Sequence, residues 1–202
     1  MPSGNGLSSS PSNNPEPHNG PRFPKVTAYD NVRAQHKLVT EKFGKDKWQE
    51  SLAKAGMDRD AIFLATSNVD AQLTMKAIAS VCEVLGVTPV QAADAFGDYW
   101  VNVFASKIYA VHFRGVTSAR DFLLKMNEIH RVTTATIPDA RPPRFAYDWT
   151  DPNTLVMTYE SQRGLIDILV GLIKGVGRRF DEDLRVSKVG TNRVQVVFPA
   201  TA

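Results

Sequence analysis

The chain has 202 residues, 43% of them hydrophobic, and its 24 basic and 21 acidic side chains leave a formal net charge of +3. That length suits one globular domain with a sizeable core, and so balanced a charge, with no block of like charges, argues against nucleic acid as the main partner. A single cysteine, Cys82, excludes an intrachain disulfide framework and a cysteine-based zinc site.

Residues 1–25 are rich in Ser, Asn, Pro and Gly and offer little to bury, so they are expected to form a disordered leader ahead of a domain spanning 26–202. Leu38, Val39 and Phe43 then fall at helical spacing before Gly44. DKWQESLAKAG predicts a short helix closed by Gly56, and QLTMKAIASVCEVLG predicts one ending at Gly86. Cys82 lies on that apolar segment and reads as a buried free thiol. In TPVQAADAFGDYWVNVFA, Thr88 is the expected N-cap and Pro89 the first helical residue.

Ser118 should cap a helix over SARDFLLKMNEIHRVTTAT, with Phe122, Leu123, Met126, Ile129 and Val132 in one apolar stripe. IPDARPPRF breaks the pattern with its prolines. A strand (TLVMTYES), a helix (LIDILVGLIKGVGRRF) and a hairpin follow, the hairpin pairing Leu184 and Val186 with Val194, Val196 and Phe198 around GTN. Helices first and antiparallel strands last make an α+β domain. No apolar run approaches the roughly 18–20 residues of a membrane span. The N-terminus lacks the charged-then-apolar order of a signal peptide, so a cytoplasmic location is expected.

Two features could carry chemistry. His130 stands one turn after Met126 and two after Leu123, which directs its ring toward the apolar stripe. A lone histidine there is either a satisfied core side chain or a ligand to a metal or haem iron. No second histidine or carboxylate falls at metal-ligand spacing with it, which disfavours a tetrahedral zinc site; haem iron needs only one protein ligand. In the strand, extended residues at i and i+2 share a face about 6.5–7 Å apart. Tyr159, Ser161 and Arg163 would thus form a row of donors roughly 13 Å long. Such a row is either a strand end emerging into solvent or a clamp for a flat ligand with two carboxylates. No nucleophile elbow occurs, and GLIKGVGRR lies inside an apolar helix rather than in a phosphate loop. Nothing nominates an enzyme.

His130 on its helix, then DARPPRF, then Y-x-S-x-R resembles the haem nitric oxide/oxygen-binding (H-NOX) family, the sensor domain shared by bacterial gas sensors and soluble guanylate cyclase. The likeness runs from about Leu38 to Phe198 and includes EKFGKDKW, EVLGVTP, AFGDYW and FLLKMNEIH. It implies the H-NOX fold: a helical N-terminal lobe and a C-terminal lobe of antiparallel sheet and helices, with haem b (iron protoporphyrin IX) between them. By the same resemblance His130 is the proximal iron ligand. Tyr159, Ser161 and Arg163 clamp the haem propionates, and Pro143 presses on the porphyrin.

Oxygen-binding members place a distal tyrosine five residues after the motif's arginine, where this chain has Ile168. An apolar side chain cannot donate to bound O2, whereas NO needs no donor. The resemblance therefore implies a sensor for NO and CO that does not hold O2 stably. Trp100 either lines the distal side or packs in the core. The first helix departs from the family pattern, since Asn31, Arg33 and Gln35 stand where apolar residues are expected, and His36 is a remote second candidate for the iron. Binding of NO opposite His130 is expected to loosen that ligand and shift its helix or the N-terminal lobe. Output is expected in trans, to a histidine kinase or a cyclic-di-GMP enzyme. The alternative is a haem-free ligand-binding or adaptor domain of the same fold.

Overall fold

The structure, a computed structural model, describes residues 28–61, 71–137, 140–161 and 163–200. The expected leader, 1–25, lies outside them. Helices α1 (Ala28–Phe43), α2 (Lys45–Lys54), α3 (Ala71–Leu85) and α4 (Pro89–Tyr99) form the helical half. Gly44, at φ 92°, turns the chain from α1 into α2. Thr88 caps α4 in a reciprocal box: its side chain accepts from the Gln91 N–H, and the Gln91 side chain accepts from the Thr88 N–H. Cys82 is buried, and burial pushes its thiol up from the ordinary value.

Beyond Tyr99 the helix continues as a π-helical segment, Trp100–Ala105, then a single turn, α5 (Ser106–Ile108), and a 3₁₀ turn over Ala110–Phe113. The helix expected from Ser118 is split into α6 (Ala119–Leu124) and α7 (Met126–Thr134). At the break, the Lys125 N–H is shared between the carbonyls of Asp121 and Phe122, a local tightening toward 3₁₀ geometry. Ser118 caps α6 as expected, accepting from the Asp121 N–H.

Strands β1 (Arg144–Asp151) and β2 (Thr154–Glu160) precede α8 (Ile166–Arg179), and β3 (Arg185–Lys188) and β4 (Arg193–Val197) follow it. They make one antiparallel sheet in the order β1-β2-β4-β3. Val186 lies opposite Val196, as the hairpin reading required. Strand β1 was not expected, because the prolines masked it. Its exposed, polar-rich pattern is that of an edge strand, with only Phe145 buried. Leu155 faces Val196 and Met157 faces Val194 across β2 and β4, and all four are fully buried in a cluster with Leu169, Ile173 and Val176 of α8 and Phe122 and Leu123 of α6. That apolar face holds the C-terminal half together.

Two devices fix the frame around the site. Helices α4 and α8 cross at backbone contact: a Cβ on Gly97 would lie 2.1 Å from the Gly171 carbonyl carbon, and one on Gly171 would lie 2.0 Å from the Ala93 carbonyl oxygen. Only glycine fits there. Lys174–Asp94 (2.8 Å) and Arg178–Asp98 (2.6 Å) flank the crossing. The second device is Asn127 on α7. Its Nδ2 donates to the Phe145 carbonyl (2.8 Å) and its Oδ1 accepts from the Phe145 N–H (2.9 Å), so a side-chain amide pairs with β1 as another strand would.

Adding a methyl at Gly171 must push α8 off α4. Gly171→Ala is expected to cost on the order of 3 kcal/mol in urea unfolding, whereas Gly86→Ala meets open space and pays only for its positive φ, about 1 kcal/mol. Asn127→Ala removes both contacts to Phe145 and should cost about 2 kcal/mol in the same assay.

Candidate functional site

The site is assembled from three stretches that the sheet and Asn127 bring together. Residue His130 is on the second turn of α7, Pro143 immediately precedes β1, and Tyr159 is near the end of β2. The His130 Nδ1 lies 3.0 Å from the Pro143 carbonyl oxygen. A carbonyl only accepts, so Nδ1 carries the proton and donates, and the Nε2 lone pair is left uncommitted. The imidazole centroid is 5.7 Å from the Phe145 ring, which is 6.0 Å from Tyr159. Phe145 and Tyr159 are direct partners in the β1–β2 register.

Burial holds the His130 pKa below its ordinary value; the Pro143 carbonyl opposes this and the positive Arg163 adds to it. The ring is therefore neutral at neutral pH, the state in which imidazole binds a metal. Among the described residues no group of three or more His, Cys, Asp or Glu side chains could hold a metal ion. A metal on His130 would take its other ligands from a cofactor.

The expected row of three donors along one strand is corrected by the structure. β2 stops at Glu160, opposite Arg144. The next partner would be Pro143, which has no N–H to extend the ladder. Ser161 and Arg163 consequently stand beyond the strand, in a turn that runs through Gly164 at φ 63° into α8. The Arg163 N–H donates to the Ser161 Oγ at 3.3 Å, which closes the turn with a side-chain oxygen. Tyr159 is 7% exposed, while Arg163 is open to solvent. Among the described residues neither the Tyr159 hydroxyl nor the Arg163 guanidinium has a hydrogen-bond or ion-pair partner. A guanidinium whose charge reaches His130 and which has no partner among the described residues, a buried tyrosine hydroxyl and an uncommitted imidazole nitrogen make a group set suited to a planar ligand carrying both a metal and carboxylates. Haem fits that set.

Ile168 lies elsewhere, in a second apolar cluster with Leu38, Phe96 and Phe104. Trp100 and Leu172 pack against this cluster and against the one on the sheet, so they join the two sides. The Trp100 ring stacks on Phe104 with centroids 5.1 Å apart. His36, the remote second candidate, packs its ring 5.3 Å from Trp48 on α2, well away in sequence and element from His130. Sequence reasoning missed Asn127, although an asparagine inside a helix, one turn before the histidine, was a usable signal.

The profile of the Haem-NO-binding family matches residues 32–188. The soluble guanylate cyclase gcy-35 of Caenorhabditis elegans is 25% identical over 158 residues, which cover 75% of this chain; the chain spans only 23% of that relative's length. Among solved structures, a Cs H-NOX mutant carrying 4-cyano-L-phenylalanine superposes with a TM-score of 0.75 at 25% identity, covering 85% of this chain and 96% of that one. An oxygen-binding H-NOX domain related to soluble guanylate cyclases, in its oxygen complex, gives 0.69 at 25% identity over 84% of this chain and 93% of that one. With the matched region enclosing His130, Pro143 and the Tyr159–Arg163 segment, the chain belongs to the Haem-NO-binding (H-NOX) family of haem-based gas sensors.

Proposed function

We propose that the protein is a cytoplasmic sensor of NO and CO that binds haem b on His130 and signals in trans to a partner protein. The observation that carries this reading is the His130–Pro143 hydrogen bond, which fixes the tautomer with Nε2 available to iron. Tyr159, Ser161 and Arg163 would hold the propionates: the guanidinium as the charged clamp, the hydroxyls as neutral donors. Pro143 would press its rigid ring on the porphyrin, and its carbonyl would meanwhile orient the histidine. When bound, the haem supplies the coordination position at which a diatomic gas is captured.

The chain's own part is to hold and report. Helix α7 is tied to β1 at two points one turn apart, through His130 to Pro143 and through Asn127 to Phe145. A change in the pull on His130 is passed to those contacts and displaces α7 relative to the sheet. A partner such as a histidine kinase or a cyclic-di-GMP enzyme would read that displacement as a population shift. Ile168 offers no donor to bound O2, so stable retention of O2 is disfavoured while NO and CO are accepted. The reading assigns no catalytic step to this chain.

A haem-free domain of the same fold is the competing reading, and purified protein separates the two. A Soret band in the wild type that is lost in His130→Ala supports the sensor; colourless protein after haem reconstitution favours the rival. Arg163→Ala should keep the band but release haem to an acceptor protein at least about tenfold faster, the loss expected for a charge-assisted contact. An unchanged release rate would remove Arg163 from the clamp.

A further inference from the structure

A cavity of about 150 Å³ lies between α1, α3, α4 and the start of α8, and it is partly open to solvent. Its inner wall is apolar, with Leu38, Val39 and Phe96 all buried there. Its rim is exposed and carries Lys42 and Phe43 of α1 and Gln91 of α4. Among the described residues that line it, Lys42 alone bears a charge. An apolar cavity of that size stays dry and takes a guest about as large as a benzene ring. Inner wall and rim together suit an amphiphile, its body inside and its head at the mouth.

Lys42 is not claimed from within the protein. The three lysines of α2 each reach a carboxylate: Lys45 that of Asp60 (3.9 Å), Lys47 that of Glu50 (2.9 Å) and Lys54 that of Glu83 (2.7 Å). Lys42 has no such partner among the described residues, and the neighbouring Glu41 accepts from the Tyr99 hydroxyl at 3.0 Å. The Gln91 side-chain oxygen is committed to the Thr88 N–H, so its NH2 donors are what it has left to offer at the rim. A place in the last turn of α1 suits a cation through the helix dipole alone. The dipole does not account for an apolar cavity beside that cation, nor for a Phe43 ring left 48% exposed on the rim.

We infer that this cavity binds a small anionic amphiphile, a monocarboxylate with an apolar body of about six to eight carbons. The carboxylate pairs with Lys42, and the body lies against Leu38, Ile78 and Phe96. Charge sets the class: a neutral hydrocarbon leaves the ammonium unused, and a second carboxylate would have to enter the apolar wall without a partner. The site is separate from the one described above, because none of His130, Pro143, Tyr159, Ser161 and Arg163 lines it. It goes beyond the gas-sensor reading and does not rest on it.

The test titrates the full chain, as purified, with octanoate and with octanol by isothermal titration calorimetry at low ionic strength. Octanoate should bind saturably, and Lys42→Met, which keeps the apolar stem, should weaken it about fourfold, as for a solvent-exposed ion pair. Octanol should bind equally to the wild type and Lys42→Met. Ile78→Trp, which fills the cavity, should abolish both at an unchanged melting temperature. Arg163→Ala should leave octanoate affinity as it was. No saturable binding of octanoate overturns the inference, as does an octanoate affinity that Lys42→Met leaves unchanged or lowers no more than that for octanol. Octanoate binding lost in Arg163→Ala also overturns it, since the carboxylate then sits in the haem site. Colourless protein that still binds octanoate through Lys42 would remove the sensor reading and support this one.

Discussion

The hydrogen bond from His130 Nδ1 to the Pro143 carbonyl is the constraint on which the site depends. It decides which nitrogen bears the proton, orients the ring, and leaves Nε2 as the only lone pair the imidazole can offer. It also makes Pro143 serve twice. The proline's missing N–H ends the β1–β2 ladder, which frees Ser161 and Arg163 from the sheet, while its carbonyl holds the histidine. The same residue thus terminates a secondary structure and positions a ligand. Burial and the nearby Arg163 charge both favour the neutral imidazole, so the electrostatics and the geometry agree.

That hydrogen bond holds its geometry because the surrounding frame resists movement. Asn127 sews α7 to β1 next to the site, and the sheet is anchored in turn on α8. Helix α8 meets α4 at a glycine crossing that tolerates no added atom, and α4 and its continuation carry Tyr99, Trp100 and Tyr109 toward α1. A continuous set of close contacts therefore joins the histidine helix to the helical half. A displacement starting at His130 has few soft places in which to dissipate, which is what a sensor needs from its scaffold.

Much of this was legible in the sequence because it rests on local rules. Gly44, Gly56 and Gly86 mark their helix ends, Thr88 and Ser118 cap theirs, and Val186 and Val196 pair as their alternation requires. His130 and the Tyr159–Arg163 segment could be singled out from residue type and spacing, and Pro143 through the resemblance to the family. What the sequence did not disclose depends on contacts distant in the chain. Strand β1 is half solvated and lacks a clear alternation, so only its pairing with β2 defines it. The straight row of donors failed because its end was set by a proline on another strand. The glycines of GLIKGVG were legible as helical, but the purpose of Gly171 and Gly175 appears only when the backbone of α4 lies against them.

The central claim is that His130 Nε2 binds iron, and resonance Raman spectroscopy of the ferrous protein tests it most directly. An iron–histidine stretching band that shifts on ¹⁵N labelling of histidine, and disappears in His130→Ala, is the result predicted. A band that persists in His130→Ala, or none at all in haem-loaded wild type, would contradict the account.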